Sequence, residues 1–143
     1  MTNKETKKHM EPIEYRKLLQ QVELQSIVLD SCSVKTNRDR LAGNMKLDIR
    51  NKMEYAIEEE LSAIVTAKYD LTATKSTKKD FALKLGCIYR VTLTSEKPII
   101  GEFMDIFINV NIHTNTWPYF REFVQSTLQR IGYPPFTLPF FKS

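Results

Sequence analysis

Glycine, cysteine and histidine are scarce in this chain, and each scarcity removes a class of function. Its 143 residues hold four glycines, two cysteines and two histidines. Gly43, Gly86, Gly101 and Gly132 stand alone, so there is no glycine-rich loop whose backbone amides would cradle a phosphate. His9 and His113 belong to no H-x-x-x-H or E-x-x-H spacing, which leaves no metal-ligating motif. Cys32 and Cys87 are far apart in sequence and form no C-x-x-C pair. That pattern argues against a disulfide framework or a zinc site and fits a reducing, cytoplasmic setting. A Cys–His nucleophile would need one of them beside His113, yet both fall inside strand patterns, where an inert thiol is expected. Neither enzymatic activity nor a cofactor is expected.

Long apolar runs are missing too. Nothing approaches the roughly 20 residues that span a bilayer, so no membrane insertion is expected. Met1 to His9 is polar and lysine-rich without an apolar segment, which reads as a disordered tail over residues 1–10 rather than a secretory signal. The remainder, 11–143, suits one domain with its own core. A hydrophobic share of 42% and a charged share of 27% are ordinary for a soluble globular chain. The net charge of +4 is mild, and much of it comes from Lys4, Lys7, Lys8, Lys75, Lys78 and Lys79. A nucleic-acid footprint calls for a basic stripe on one folded face, preferably with aromatics, so no nucleic-acid partner is expected.

What the chain does have is periodicity. Glu11 to about Gln21 reads as a short helix, with Pro12 near its start and Ile13, Tyr15, Leu18, Leu19 and Val22 as its apolar positions. Val22 to Thr36 is rich in β-branched residues and reads as a strand. Its alternation slips through Ser26-Ile27-Val28-Leu29, which suggests a bulge or a part buried on both faces. Thr36 to Asn44 is a polar loop. Met45, Leu47, Ile49, Met53, Tyr55 and Ile57 mark a second strand that ends at Glu58-Glu59-Glu60, a solvated strand end.

The third strand alternates Leu61, Ala63, Val65, Ala67, Tyr69, Leu71 and Ala73 against polar residues. The fourth does the same with Phe81, Leu83, Leu85, Cys87, Tyr89, Val91 and Leu93. The polar turn between them predicts a long antiparallel hairpin. One face is therefore apolar and needs a cover, which only helices can supply. Ile99 to His113 fits a helix and an extended chain equally; the reading adopted is a short helix that unwinds before Asn115.

The clearest helix is the next one. Phe120, Phe123, Val124, Leu128 and Ile131 share one face of a 3.6-residue period. Asn115 or Thr116 suits the cap, Pro118 the first turn, Glu122 the positive end of the dipole, Arg130 the last turn and Gly132 a left-handed stop. Aromatics crowd this end of the chain: Trp117, Tyr119, Phe120, Phe123, Tyr133, Phe136, Phe140 and Phe141. One helix face cannot bury them all. Two readings stay open, core for some and an interface for others, either with a second copy or with apolar partner segments.

At these residues the sequence resembles the SecB protein-export chaperone family. Trp117-Pro118-Tyr119-Phe120-Arg121-Glu122 is similar to that family's aromatic-Pro-Tyr-x-Arg-Glu helix start. Arg130-Ile131-Gly132-Tyr133-Pro134-Pro135-Phe136-Thr137-Leu138-Pro139 resembles its Arg-Gly-x-x-Pro-x-x-Leu segment. Phe81 to Tyr89 resembles its fourth strand, with one family glycine replaced.

The resemblance implies an α+β fold, a SecB-like four-stranded antiparallel sheet with helices packed on one face. It also implies an ATP-independent holdase, assembled as a dimer of dimers, that binds unfolded polypeptide clients in apolar grooves. Client-binding or oligomer-interface positions would be Trp117, Tyr119, Phe120, Phe123, Phe136, Leu138 and Phe140. The chain departs from the export chaperone in its positive charge, its polar Thr36–Gly43 loop, and the absence of an acidic tail and final long helix. Those departures weigh against docking to a translocase motor. The chain looks more like the SecB-like branch that includes chaperones of toxin–antitoxin systems, where the client is an antitoxin. The competing expectation is a SecB-fold adaptor for one folded partner.

Overall fold

Four segments with a period-two apolar pattern pair into one antiparallel sheet. The computed structural model describes residues 10–43, 45–75 and 80–138. Residues 1–9 of the tail expected over residues 1–10, and Phe140, lie outside them. The strands are β1 (Val22–Thr36), β2 (Met45–Glu59), β3 (Ser62–Lys75) and β4 (Phe81–Ser95), in the order β1-β4-β3-β2. β2–β3 and β3–β4 are sequential antiparallel neighbours, and β1 returns to pair with β4. A short helix α1 (Pro12–Gln21) precedes the sheet and a long helix α2 (Gly101–Ile131) follows it. The α+β architecture expected from the sequence is the one observed.

The two central strands are the cleanest case of sequence dictating structure. On β3, Ala63, Val65, Ala67, Tyr69, Leu71 and Ala73 are buried, and on β4 so are Leu83, Leu85, Cys87, Tyr89, Val91 and Leu93. The register aligns the two sets directly, Tyr69 opposite Cys87 and Val65 opposite Val91. Each large apolar side chain fully buried here is worth about 1.5–3 kcal/mol relative to exposure. Leu61 departs from the expected pattern. It falls in the tight turn between β2 and β3 and is 47% exposed, because the Glu59–Ser62 pairing closes the hairpin one residue later.

The larger difference concerns α2. The expected break before Asn115 does not occur: one helix runs 31 residues through Pro118. Proline inside a helix removes one backbone hydrogen bond and typically costs about 3 kcal/mol. Burial along the whole helix offsets it. Phe103, Met104, Phe107 and Ile112 pack on one end of the sheet; Trp117, Phe120, Val124 and Leu128 pack on the other. Polar Asn111, which interrupts the apolar stripe in sequence, accepts a hydrogen bond from the Tyr15 hydroxyl of α1. Tyr55 of β2 donates to Asp105 Oδ1 over 3.0 Å, a second pin on the helix. Tyr15 stacks on Phe103 at 5.1 Å, so α1 shares the same side of the sheet.

Gly132 stops α2 as expected, at φ 74° and ψ 26°. The Gly132 N–H donates to Gln129 O and the Tyr133 N–H donates to Leu128 O, the paired bonds of a Schellman motif. Tyr133 and Leu128 are buried in the same cluster, the apolar contact that accompanies that cap.

Candidate functional site

The aromatic centre of α2 divides into a buried half and an open half. Phe120 is fully buried and stacks on Tyr69 of β3, with ring centroids 5.0 Å apart and planes 13° apart. Trp117 leans on both, 5.7 Å from Tyr69 and 5.9 Å from Phe120. Tyr119 is 48% exposed and stands edge-on over Tyr89 of β4 at 6.1 Å. Phe123 is half-buried against the same core. Leu138 is buried and Phe136 half-buried. The structure thus seats Trp117, Phe120 and Leu138 in the interior and leaves Tyr119, Phe123 and Phe136 within reach of solvent.

The C-terminal segment and Tyr119 lie on opposite flanks of α2. Arg121 Nε donates to Leu138 O over 2.8 Å, and residues 119 and 121 point about 200° apart on a helix. The end of α2 and the segment after Gly132 are held by three further bonds. Tyr133 Oη donates to Ala82 O over 2.8 Å, Gln125 Nε2 donates to Thr137 Oγ1, and Arg38 Nη2 donates to Ile131 O. The Arg38 guanidinium also sits 5.2 Å over the Tyr133 ring, a cation–π contact. These contacts enclose a cleft of about 230 Å³ between the β1–β2 loop and the C-terminal segment. Leu41, Met45, Leu47, Leu83, Pro135 and Phe136 give it apolar walls.

The other flank holds the feature that sequence reading missed. The β1–β4 register places Leu24, Ile27, Leu29, Cys32 and Val34 on the helix side of the sheet, opposite Leu93, Val91, Tyr89, Cys87 and Leu85. α2 does not cover them. From β1 only Val22 and Ile27 join the core, while Leu24, Leu29 and Val34 are 38%, 46% and 40% exposed. They form an apolar strip that spans eight rungs of the ladder, from Leu93 to Leu85 on the partner strand, about 27 Å at the rise of an extended strand. Leu29 lies next to Tyr89, and Tyr119 stands over Tyr89, so the strip runs up to the helix wall.

Two β-bulges make the strip. The register skips at Gln25 and at Asp30, and each extra residue returns the next apolar side chain to the helix side. The irregular spacing of Leu24, Ile27, Leu29, Cys32 and Val34 was therefore the available signal: steps of three and two alternate where a regular strand has twos.

Two ionisable groups on this flank are held neutral, and the Glu122 carboxylate on the helix is close enough to Tyr89 to contribute to its shift. Burial pushes the Cys87 thiol up to about 12 and raises Tyr89 beyond its ordinary value. Both stay uncharged near pH 7. Among the described residues no cluster of three or more His, Cys, Asp or Glu side chains is placed to hold a metal ion. Among them too, no helix is long and apolar enough to cross a membrane.

A four-stranded antiparallel sheet of order β1-β4-β3-β2, one face covered by a long C-terminal helix and a short N-terminal one, is a SecB-like fold. Among solved structures the chain is similar to a SecB-like chaperone from Mycobacterium tuberculosis, solved in complex with a ChAD peptide from the HigA1 antitoxin. It has a TM-score of 0.77 at 14% identity over 90% of this chain and 96% of that one. A protein of unknown function from Streptococcus agalactiae aligns at a TM-score of 0.49 and 8% identity, over 83% of this chain and 97% of that one. No family model and no curated protein matches the sequence.

Proposed function

We propose that this chain is a cytoplasmic, ATP-independent SecB-like chaperone that holds unfolded or aggregation-prone polypeptide segments and performs no catalysis. The observation that carries the reading is the uncovered apolar strip of β1 beside Tyr119. An unfolded chain offers extended apolar segments, and a strip of about 27 Å accommodates roughly eight extended residues. Holding such a segment needs apolar surface and no energy source, because binding shifts the folding equilibrium by mass action. The second opening, lined by Leu41, Met45 and Phe136, is a further apolar contact for the same client.

The antitoxin peptide bound by the mycobacterial chaperone supports a dedicated client of that kind over export precursors. The chain's net charge of +4 points the same way, since it weighs against motor docking. Apolar strips left open on each copy also support self-association as a homo-oligomer, a dimer of dimers by analogy with the export chaperone. Aggregation of an unrelated unfolded protein, followed by light scattering, tests the holdase. Suppression at near-equimolar ratios supports a general holdase, and protection of one cognate antitoxin alone supports a dedicated one. Binding of a folded partner with no suppression at all would leave the adaptor reading in place.

A further inference from the structure

The β1–β4 register sets Cys32 directly opposite Cys87, two cysteines that sequence separation had set apart. Residues opposed in an antiparallel ladder have Cα atoms roughly 4.5–5.5 Å apart, inside the span a disulfide bridges. Both side chains leave the same face of the sheet, and both are free thiols. They differ in access: Cys32 is exposed and Cys87 is buried. An exposed thiol beside a buried one is the arrangement of an attacking and a resolving cysteine.

We propose that Cys32 and Cys87 form a reversible intramolecular disulfide that staples the edge strand β1 to β4, with a small-molecule or protein disulfide as oxidant. The Cys32 thiolate attacks one sulfur of the oxidant; the oxidant's S–S bond breaks and its first half leaves as a thiol. The Cys87 thiolate, its proton given up, then attacks the Cys32 sulfur and displaces the second half as a thiol. Two S–H bonds are lost and one S–S bond forms. Two electrons and two protons pass to the oxidant, which ends as two thiols. Burial raises the Cys87 thiol, so the second step, which needs its thiolate, quickens with pH.

The staple matters because of where β1 sits. It is an edge strand paired with β4 alone among the described residues, and it places only Val22 and Ile27 in the core. A bond closing a loop of about 55 residues is expected to raise Tm by roughly 10 °C. This holds whatever the neighbouring strip binds, so the staple stands or falls separately from the chaperone reading.

The test uses the full chain, first reduced and then equilibrated with mixtures of oxidised and reduced glutathione. Free thiols are alkylated and the digested protein is weighed. The expected result is a single-chain species that loses two alkylatable thiols together and yields one peptide pair joined through Cys32 and Cys87. Its Tm lies roughly 10 °C above that of the reduced chain. Cys32→Ser, an exposed change that the fold tolerates, is expected to abolish the bridge and leave Tm insensitive to the glutathione ratio. Two thiols that stay alkylatable across the whole series would overturn the proposal. So would a glutathione adduct on Cys32 that never resolves, or a Cys32–Cys32 bond between two chains.

Discussion

Tyr69 Oη and Thr116 Oγ1 lie 2.7 Å apart in the interior, joining the middle of β3 to the middle of α2. Thr116 Oγ1 also lies 2.8 Å from Ile112 O, to which it donates its one proton. The direction of the first bond follows: Tyr69 donates and Thr116 accepts. Two hydroxyls and a helix carbonyl thus form a closed chain in a dry core.

That asymmetry separates two variants that each remove one hydroxyl. Tyr69→Phe removes a donor and leaves Thr116 bonded to Ile112, at an expected cost of about 1 kcal/mol. Thr116→Val strands the Tyr69 hydroxyl without its acceptor, at about 2–3 kcal/mol. Urea unfolding of both, and of the double variant, checks the order. The double variant is expected to be no less stable than Thr116→Val alone.

The burial contrast between two adjacent aromatics gives a second expectation. Phe120 is fully buried on Tyr69, whereas Tyr119 is half-open over Tyr89. Phe120→Ala is expected to cost about 3–5 kcal/mol and Trp117→Ala a similar amount. Tyr119→Ala is expected to cost no more than about 1 kcal/mol, since about half of the residue is already exposed. Equilibrium unfolding distinguishes a core residue from a surface one in each case.

His113 supplies a pH dependence. Burial holds its imidazole below the ordinary value of 6.5, and its ring lies 6.4 Å from that of Tyr69. A lowered pKa means that the unfolded chain binds more protons than the folded one below pH 6.5. The stability associated with neutral His113 is complete above that pH and is lost as pH falls toward the folded value. Stability measured between pH 7.5 and 5.5 is expected to decline for the parent chain. In His113→Gln the decline is expected to be shallower.

How much of this was legible beforehand depends on which residues spoke locally. Ala67, Tyr69, Leu85 and Val91 announce their strands through parity alone, because both neighbours of each are solvent-side and polar or small. Gly132 announces the end of α2 because few other residues take a positive φ. The length of α2 was hidden by Asn109, Asn111 and Asn115, which break the apolar stripe. It was hidden also by Pro118, whose helix-start preference outweighed the burial that only the assembled sheet provides.

The β1 strip was hidden for a different reason. Sequence assigned the site to Trp117, Tyr119, Phe120, Phe123, Phe136, Leu138 and Phe140, all at the C-terminal end. Leu24, Leu29 and Val34 became visible as one surface only once the bulges at Gln25 and Asp30 set the register. The opposition of Cys32 and Cys87 likewise exists only in that register. Pairing between distant strands is a tertiary fact, and no local pattern encodes it.

The central claim, that the β1 strip holds extended apolar polypeptide, is tested most directly by affinity for a permanently unfolded chain. Fluorescence anisotropy with a labelled, reduced and carboxymethylated protein gives the dissociation constant. Leu29→Asp and Val34→Asp place charge on the exposed strip, while Ser31→Asp places it on the opposite face of the same strand. The account predicts that each strip variant weakens binding at least about tenfold, or about 1.4 kcal/mol, with the fold intact by circular dichroism. It predicts that Ser31→Asp binds as the parent does. Equal affinity in all four proteins, or no binding by the parent chain, would contradict it.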